Sequence, residues 1–257
     1  MNRFRALALL LAAAATLTSC DENAVQEIAG PATGARIRFF NFGVNAPGVN
    51  FYADNTKMTA ISSTTGTEST TGVAYGAVGS GGFYGVIAPG QHTFTGRIAA
   101  ATDKDLPISS VTTTLENGKS YSYYQSGFYN TTAKTVEAFV VEDPFAETID
   151  WSVAYVRFVN AISNANPMTL YVKHQTSGQE TAIGAAAAYK SASAFVAVPN
   201  GVYDLATRYA GSSSNAIART GVSFSAGRVY TITARGDITV TSTTATNRPF
   251  LDNTVNR

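Results

Sequence analysis

The chain has 257 residues with 18 basic and 17 acidic side chains, a formal net charge of +1 at pH 7. Charged residues make up only 14% of it, against about a quarter in typical proteins. With no basic block, this balance argues against nucleic acid as a partner and against electrostatic binding to a membrane surface. Threonine, serine, glycine and tyrosine fill the place of charges, a mixture typical of short strands joined by polar turns.

The N-terminus has the features of a secretory signal. A basic start, MNRFR, precedes the apolar residues 7–17, a run too short to span a bilayer, which needs about 20 residues. The LTSC sequence that ends at Cys20 resembles the lipobox of bacterial lipoproteins. We therefore predict a signal peptide over residues 1–19 and a lipid on the Cys20 thiol. The alternative is an ordinary signal peptide whose cleavage site falls near Cys20 by coincidence.

Cys20 is the only cysteine, so an exported chain forms no internal disulfide and its fold depends on burial. The acidic residues Asp21 and Glu22 follow it. Acids at this place resemble an inner-membrane retention signal of enteric bacteria or a surface-export signal of Bacteroidetes. We predict a lipid-anchored protein of the bacterial cell envelope, at the outer membrane or cell surface in preference to the inner membrane, with the membrane as its partner through the lipid.

After a lipidated cysteine and flexible tether over residues 20–34, the sequence repeats itself. Residues 35–53 (ARIRFFNFGVNAPGVNFYA) align without a gap with residues 154–172 (AYVRFVNAISNANPMTLYV). Three more blocks follow in the same order, 83–97 with 194–208, 115–127 with 224–236, and 138–143 with 249–254. The order predicts a duplication, with a first repeat over residues 35–146 and a second over residues 147–257.

Each repeat has the size of a β-sandwich. Apolar residues recur mostly at every second position, and turns rich in Gly, Pro and Asn separate the runs at intervals of about 8–12 residues. This spacing favours a sandwich over a barrel or propeller. Residues 182–188 have a helix-like composition, but Gly184 and the position in the repeat favour a strand or loop.

The opening strand of each repeat and the turn after it resemble a bacterial envelope family catalogued as domain of unknown function 4397. The matching motifs are Ile37-Arg38-Phe39, Asn45-Ala46-Pro47, Pro89-Gly90 and Val141-Glu142-Asp143, with Val156-Arg157-Phe158, Asn164-Ala165-Asn166-Pro167 and Pro199-Asn200-Gly201 in the second copy. The family often has histidine where Asn41 and Asn160 stand here. The resemblance implies an all-β protein of two tandem immunoglobulin-like β-sandwich domains, with no established activity.

Residues for catalysis or metal binding are sparse. His92 and His174 lie at non-equivalent positions of the two repeats, and neither has metal-ligand spacing to another ligand. The chain lacks the G-x-S-x-G, H-E-x-x-H and P-loop motifs. Asp103-Lys104-Asp105 lacks the further acids of a calcium loop. We therefore predict no catalytic residue, no metal and no cofactor.

Four acids, Glu142, Asp143, Glu147 and Asp150, surround the linker between the repeats. They allow two alternatives. Carboxylate oxygens could hold a calcium ion that stiffens the joint, or the acids could serve with His174 in a hydrolase or an accessory subunit of an enzyme.

The densest aromatic stretch supplies the candidate contacts for a ligand or partner, Tyr123, Tyr124, Phe128 and Tyr129. Exposed aromatic rings stack on sugars and anchor protein interfaces. In a strand Tyr123 and Tyr124 face opposite sides, so one side is expected to be core. Arg38 and Arg157 recur at equal positions and are expected to fix the fold.

These features predict a non-catalytic binding or structural role, such as an adhesion or scaffold module for a glycan or an envelope protein. Besides the enzymatic alternative, an assembly component that pairs through edge strands fits the pattern.

Overall fold

Strands form where runs of alternating apolar and hydroxyl side chains lie between polar turns. The computed structural model describes residues 33–59, 71–145 and 148–257, and Gly34–Arg257 form one unit. Apart from one 3-10 turn, Gly79–Gly82, the regular elements of these residues are all β-strands. No helix in the described ranges has the length and apolar character needed to cross a membrane.

The strands of the first repeat are β1 (Ala35–Val44), β2 (Val49–Ala53), β3 (Thr56–Lys57), β4 (Ala77–Val78), β5 (Gly85–Ile87), β6 (Gly90–Ile98), β7 (Pro107–Leu115), β8 (Ser120–Asn130) and β9 (Thr135–Glu142). Those of the second repeat are β10 (Val153–Asn160), β11 (Met168–His174), β12 (Glu180–Ala187), β13 (Ser191–Ala192), β14 (Val196–Pro199), β15 (Gly201–Tyr209), β16 (Ile217–Phe224), β17 (Val229–Arg235) and β18 (Phe250–Val255). The alanine-rich residues 182–188 thus lie mostly in a strand.

Each repeat forms two sheets with the same strand order. We call the sheets β4-β1-β8-β9 and β13-β10-β17-β18 the junction sheets, in which β5 and β14 also pair with β1 and β10. The outer sheets are β3-β2-β6-β7 and β12-β11-β15-β16. The central pairs β1–β8 and β10–β17 are parallel, and the same topology in both repeats confirms the predicted pair of β-sandwiches.

Strand β1 has aromatic residues on both of its faces, because neighbouring side chains of a strand point to opposite sides. Phe39 packs into the first sandwich, with its ring centroid 5.2 Å from Phe51 of the outer sheet and 5.7 Å from Tyr123. Phe40 points the other way and stacks on Tyr124 at 4.7 Å. Both faces of this junction sheet are therefore buried.

Three apolar clusters order the molecule into four layers. One fills the first sandwich around Phe39, Phe51 and Phe94, and another fills the second around Phe158 and Phe224. The third lies between the two junction sheets. The layers therefore run outer sheet, junction sheet, junction sheet, outer sheet.

Strand pairing aligns the two copies and corrects one block of the sequence alignment. Tyr121 pairs with Glu142, as its equivalent Tyr230 pairs with Val255. Residues 138–143 therefore correspond to residues 251–256, two positions beyond the block predicted from sequence. Asp143 thereby becomes the equivalent of Asn256, and each amide donates to the strand opposite at 2.7 Å.

The predicted signal peptide, Cys20 and almost all of the tether lie outside the described residues, as does the predicted boundary between residues 146 and 147. The division of the chain into these segments stays a prediction.

Candidate binding cleft

The two repeats meet through an apolar contact between their junction sheets. Its buried members are Phe40, Phe42, Tyr124, Phe139, Val159 and Ala161. Tyr124 stacks between Phe40 at 4.7 Å and Phe139 at 5.1 Å. Because burial of an aromatic side chain of this size contributes about 1.5–3 kcal/mol, this cluster holds the repeats together.

The junction also contains a buried ionic cluster of Arg38, Arg157 and Asp143, each at most 3% exposed. Arg157 Nη2 donates to Asp143 Oδ1, and Arg38 Nη2 lies 3.9 Å from Asp143 Oδ2. Ser122 Oγ donates to the same carboxylate at 2.7 Å. A single carboxylate is therefore shared by two guanidinium groups that are shielded from water, and removing it would leave both without an ion-pair partner among the described residues.

Each arginine of this cluster bonds to the last strand of the other repeat. Arg38 Nη1 donates to the Val255 carbonyl at 3.0 Å, and Arg157 Nη1 donates to the Glu142 carbonyl at 2.7 Å. These carbonyls belong to β18 and β9, the edge strands of the junction sheets. One carbonyl on each of these two edges is therefore occupied by an arginine of the other repeat.

Tyr84 connects the ionic cluster to the surface. Its hydroxyl donates to Asp143 Oδ2 at 2.5 Å and accepts from Asn256 Nδ2 at 3.2 Å. Burial first, and then the charge of Asp143, raises the pKa of Tyr84 far above its ordinary value. The phenol therefore stays neutral and acts as a fixed hydrogen-bond donor.

Tyr84 also forms part of the wall of an open cleft of about 630 Å³ between the repeats. The first repeat contributes Val78 and residues 81–84, and the second contributes Arg228 and residues 253–257. Ligand sites in proteins commonly measure about 300–1,000 Å³ and combine an apolar lining with a few polar groups. The cleft has this size and this composition.

The rim of the cleft exposes two apolar side chains, Phe83 at 79% and Val255 at 46%. Phe83 is held out by the preceding turn, where Ser80 and Gly81 have φ values of 51° and 67°. On the opposite wall, the Arg228 side chain has neither an ion pair nor a hydrogen bond within the part of the chain that the structure describes. The cleft thus combines an exposed aromatic ring with an unpaired cation.

In the first repeat the residue equivalent to Arg228 is ion-paired. Lys119 corresponds to Arg228, and Glu142 corresponds to Val255. There Lys119 Nζ forms an ion pair with Glu142 Oε2 at 3.2 Å. The second repeat has Val255 in place of Glu142 and Ser225 in place of Glu116, which also pairs with Lys119, so Arg228 has no ion-pair partner among the described residues.

The predicted aromatic contacts are only partly available. Tyr123 and Tyr124 are fully buried, in the first sandwich and in the junction respectively. The prediction is wrong for these two, because the face that looked free is covered by the second repeat. Phe128 is 43% exposed and Tyr129 is half-buried, so both stay candidates, although neither lines the cleft.

The acids of the linker do not gather into one site. Glu142 pairs with Lys119, Asp143 is enclosed by the two arginines, and Asp150 bonds to Ser152 in an exposed turn. Glu147 lies outside the described residues. Within the described ranges no three His, Cys, Asp or Glu side chains lie together as metal ligands would.

The two histidines have separate structural contacts. His174 packs edge-on against Tyr203 at 4.9 Å and accepts a bond from the Ser177 amide. His92 bonds to Asp54 at 2.9 Å, and this hydrogen bond raises the pKa of His92. Each histidine is therefore accounted for by contacts within its own repeat.

Sequence reasoning missed Phe83, Arg228 and Val255. The first two were visible as differences between the aligned copies, since Phe83 stands opposite Ala194 and Arg228 opposite Lys119. Val255 was hidden by the two-residue error in the last aligned block.

Taken together, the fold and the cleft define a two-domain β-sandwich protein with a concave, largely apolar surface at the junction. The family described as "Domain of unknown function (DUF4397)" matches residues 35–171 and again residues 154–256. The chain belongs to this family and contains two copies of its domain.

Among solved structures, one similar chain is a candidate cell adhesion protein from Bacteroides ovatus ATCC 8483. It shares 11% sequence identity, and the match covers 86% of this chain and 95% of that chain at a TM-score of 0.22. A likeness at this TM-score supports no functional argument. A comparison with curated proteins gives no match.

Proposed function

We propose that this chain is a non-catalytic binding module of the bacterial cell envelope, anchored through a lipid on Cys20. Its cleft binds a glycan or an envelope protein, as an adhesion or scaffold module does. The observation that supports this best is that the unpaired Arg228 and the exposed Val255 of the second repeat line one concave surface with the exposed Phe83 of the first repeat. An exposed apolar surface beside a convergent polar group is typical of a binding site.

The chemistry of the lining supports binding over catalysis. The described side chains of the cleft include no histidine, cysteine, aspartate or glutamate, the groups that most often act as general bases or nucleophiles. The Tyr84 hydroxyl is engaged by Asp143 and its pKa is raised by burial. A ligand with an apolar face and a negative group fits the lining, since Phe83 offers a ring for stacking and Arg228 a bidentate donor.

The substitution Val255→Glu tests the cleft directly, because it places a carboxylate where the first repeat has Glu142. The new side chain is expected to pair with Arg228, as Glu142 pairs with Lys119, and to close the cleft. The backbone carbonyl of residue 255 still accepts its bond from Arg38. Binding to arrayed envelope glycans and to detergent-extracted envelope proteins should fall in this variant and in Phe83→Ala.

The matched control is Val202→Ala, which shortens an exposed apolar side chain that lies outside the cleft. Thermal unfolding should show all three variants folded. If Val255→Glu and Phe83→Ala bind every probe as the unmodified chain does, the cleft is not the binding site.

The anchor and the location need a separate experiment. Cells given an alkyne-tagged fatty acid should label the unmodified chain but not Cys20→Ser. Protease shaving of intact cells then distinguishes the surface, where the sandwiches are cleaved, from the periplasm, where they are protected. An unlabelled wild-type chain would contradict the lipid anchor.

A further inference from the structure

Three arginines surround one aromatic ring at the end of the second junction sheet. The guanidinium carbons of Arg219, Arg235 and Arg248 lie 5.1, 5.3 and 5.4 Å from the ring centroid of Phe250. We call these three residues the arginine triad. They come from β16, from the end of β17 and from the segment before β18, so the fold brings them together from distant parts of the repeat.

The triad has more positive charge than its surroundings neutralise. Arg235 pairs with Asp252, and within the described residues no carboxylate lies within ion-pair distance of Arg219 or Arg248. Because each guanidinium carbon lies within 5.4 Å of the same ring centroid, no two of these carbons are farther apart than about 11 Å. This is close to the Debye length of about 10 Å at 0.1 M salt. The groups therefore repel one another, and an anion would relieve the repulsion.

Donors for such an anion are available. One nitrogen of Arg219 donates to the Leu251 carbonyl at 2.6 Å, and one of Arg248 donates to the Ala245 carbonyl at 3.1 Å. These two bonds orient the guanidinium groups and leave their Nε and Nη2 atoms without a protein acceptor among the described residues. Both side chains are half-buried, so the remaining donors are held in place but reach solvent.

The first repeat lacks this arrangement at the equivalent position. Ser126 and Glu137 are register partners there, where Arg235 and Phe250 are partners in the second repeat. Glu137 forms an ion pair with Lys190 at 3.1 Å, which balances the charge. The same fold is thus built without an excess of cations, so the triad is not required by the sandwich itself.

We propose that the arginine triad binds an oxyanion, a sulfate or carboxylate group. The group reaches the site either as a free anion or as a substituent of an acidic saccharide. Guanidinium groups suit both forms because their paired N–H donors match two oxygens of one oxyanion. This site is separate from the cleft and does not depend on the function proposed for it.

The test uses the chain from residue 20 onward with Cys20→Ser, labelled for NMR of arginine Nε–Hε groups. Sodium sulfate, dextran sulfate, polygalacturonate and neutral dextran are titrated at constant ionic strength. Arg219→Gln and Arg248→Gln each remove one free guanidinium and leave the Arg235–Asp252 pair in place. The matched control is Arg36→Gln, an exposed arginine of the first repeat that donates to the Gly118 carbonyl and has no ion pair among the described residues.

The site is supported if the triad resonances shift saturably on titration. The affinity should fall about tenfold in either triad variant and stay unchanged in Arg36→Gln. Saturation by sulfate ion alone would assign the free anion, and saturation only by the acidic polymers would assign a saccharide substituent. Shifts that never saturate, that appear equally with neutral dextran, or that persist unchanged in both triad variants would overturn the proposal.

Discussion

Neutralising Asp143 is the sharpest test of how the two repeats are joined. Asp143→Asn keeps the shape of the side chain and removes the one carboxylate that, among the described residues, pairs with the buried Arg38 and Arg157. Asparagine fits this position sterically, since Asn256 occupies the equivalent place in the second repeat. Removal of one partner from a buried ion pair leaves an uncompensated charge and costs about 3–5 kcal/mol.

The loss should be measured by urea unfolding against Glu142→Gln. This matched control removes the same charge one residue away, from a side chain that is 39% exposed, and should cost no more than about 1 kcal/mol. In a domain of this size Asp143→Asn corresponds to a fall in Tm of roughly 6–20 °C. If the two variants lose the same free energy of unfolding, the buried carboxylate does not stabilise the junction and the reasoning is refuted.

Three further predictions follow from other contacts. Adding Asn256→Asp to Asp143→Asn should restore about half of the lost stability, because residue 256 contacts the same Tyr84 hydroxyl. No recovery in urea unfolding of the double variant would contradict this. Tyr124→Ala should lower the free energy of unfolding by about 3–5 kcal/mol and Phe128→Ala by less than about 1 kcal/mol, since of the two only Tyr124 lies in the junction. Equal losses of this free energy in calorimetry would place Tyr124 outside it. Asp54 raises the pKa of His92 above its ordinary 6.5, so the stability from this pair should be complete below that value and disappear as the pH rises through the folded-state pKa. NMR titration of His92 should show a lower pKa in Asp54→Asn, and an unchanged pKa would exclude the pair as its cause.

The sequence predicted the architecture of each repeat because its signals are local. Ile37 and Phe39 lie on either side of Arg38 as alternate residues of a sandwich strand do, and Pro89 and Pro199 mark equivalent turns. The alignment of the two copies also placed Arg38 and Arg157 at the same position of their opening strands. Each was expected to form a salt bridge or stack on an aromatic ring, and each lies by Asp143 and over a ring of its own repeat; that they fix the fold stays a prediction.

The junction was not predicted, because a strand face that is covered by another domain resembles one that binds a partner. Tyr124 is buried, although its pattern also suits an exposed aromatic contact. A signal was nevertheless present in β1, where RFFNFGV is apolar on both faces, as buried strands are. The last block was misaligned because residues 249–256 share few identities with β9, and only backbone pairing defines its register.

Comparing the two copies separates residues that build the fold from residues that differ for another reason. Asn41 and Asn160 are alike, and each is buried and bonded within its own repeat, as a requirement of the fold would be. The copies differ where the ion pair Lys119–Glu142 becomes Arg228 and Val255. Since both copies fold with the same topology, that exchange is not needed for folding. The exchange leaves Arg228 without an ion pair among the described residues of a cleft, as the proposed binding of a ligand requires, which makes the second copy's edge the part of the molecule to test first.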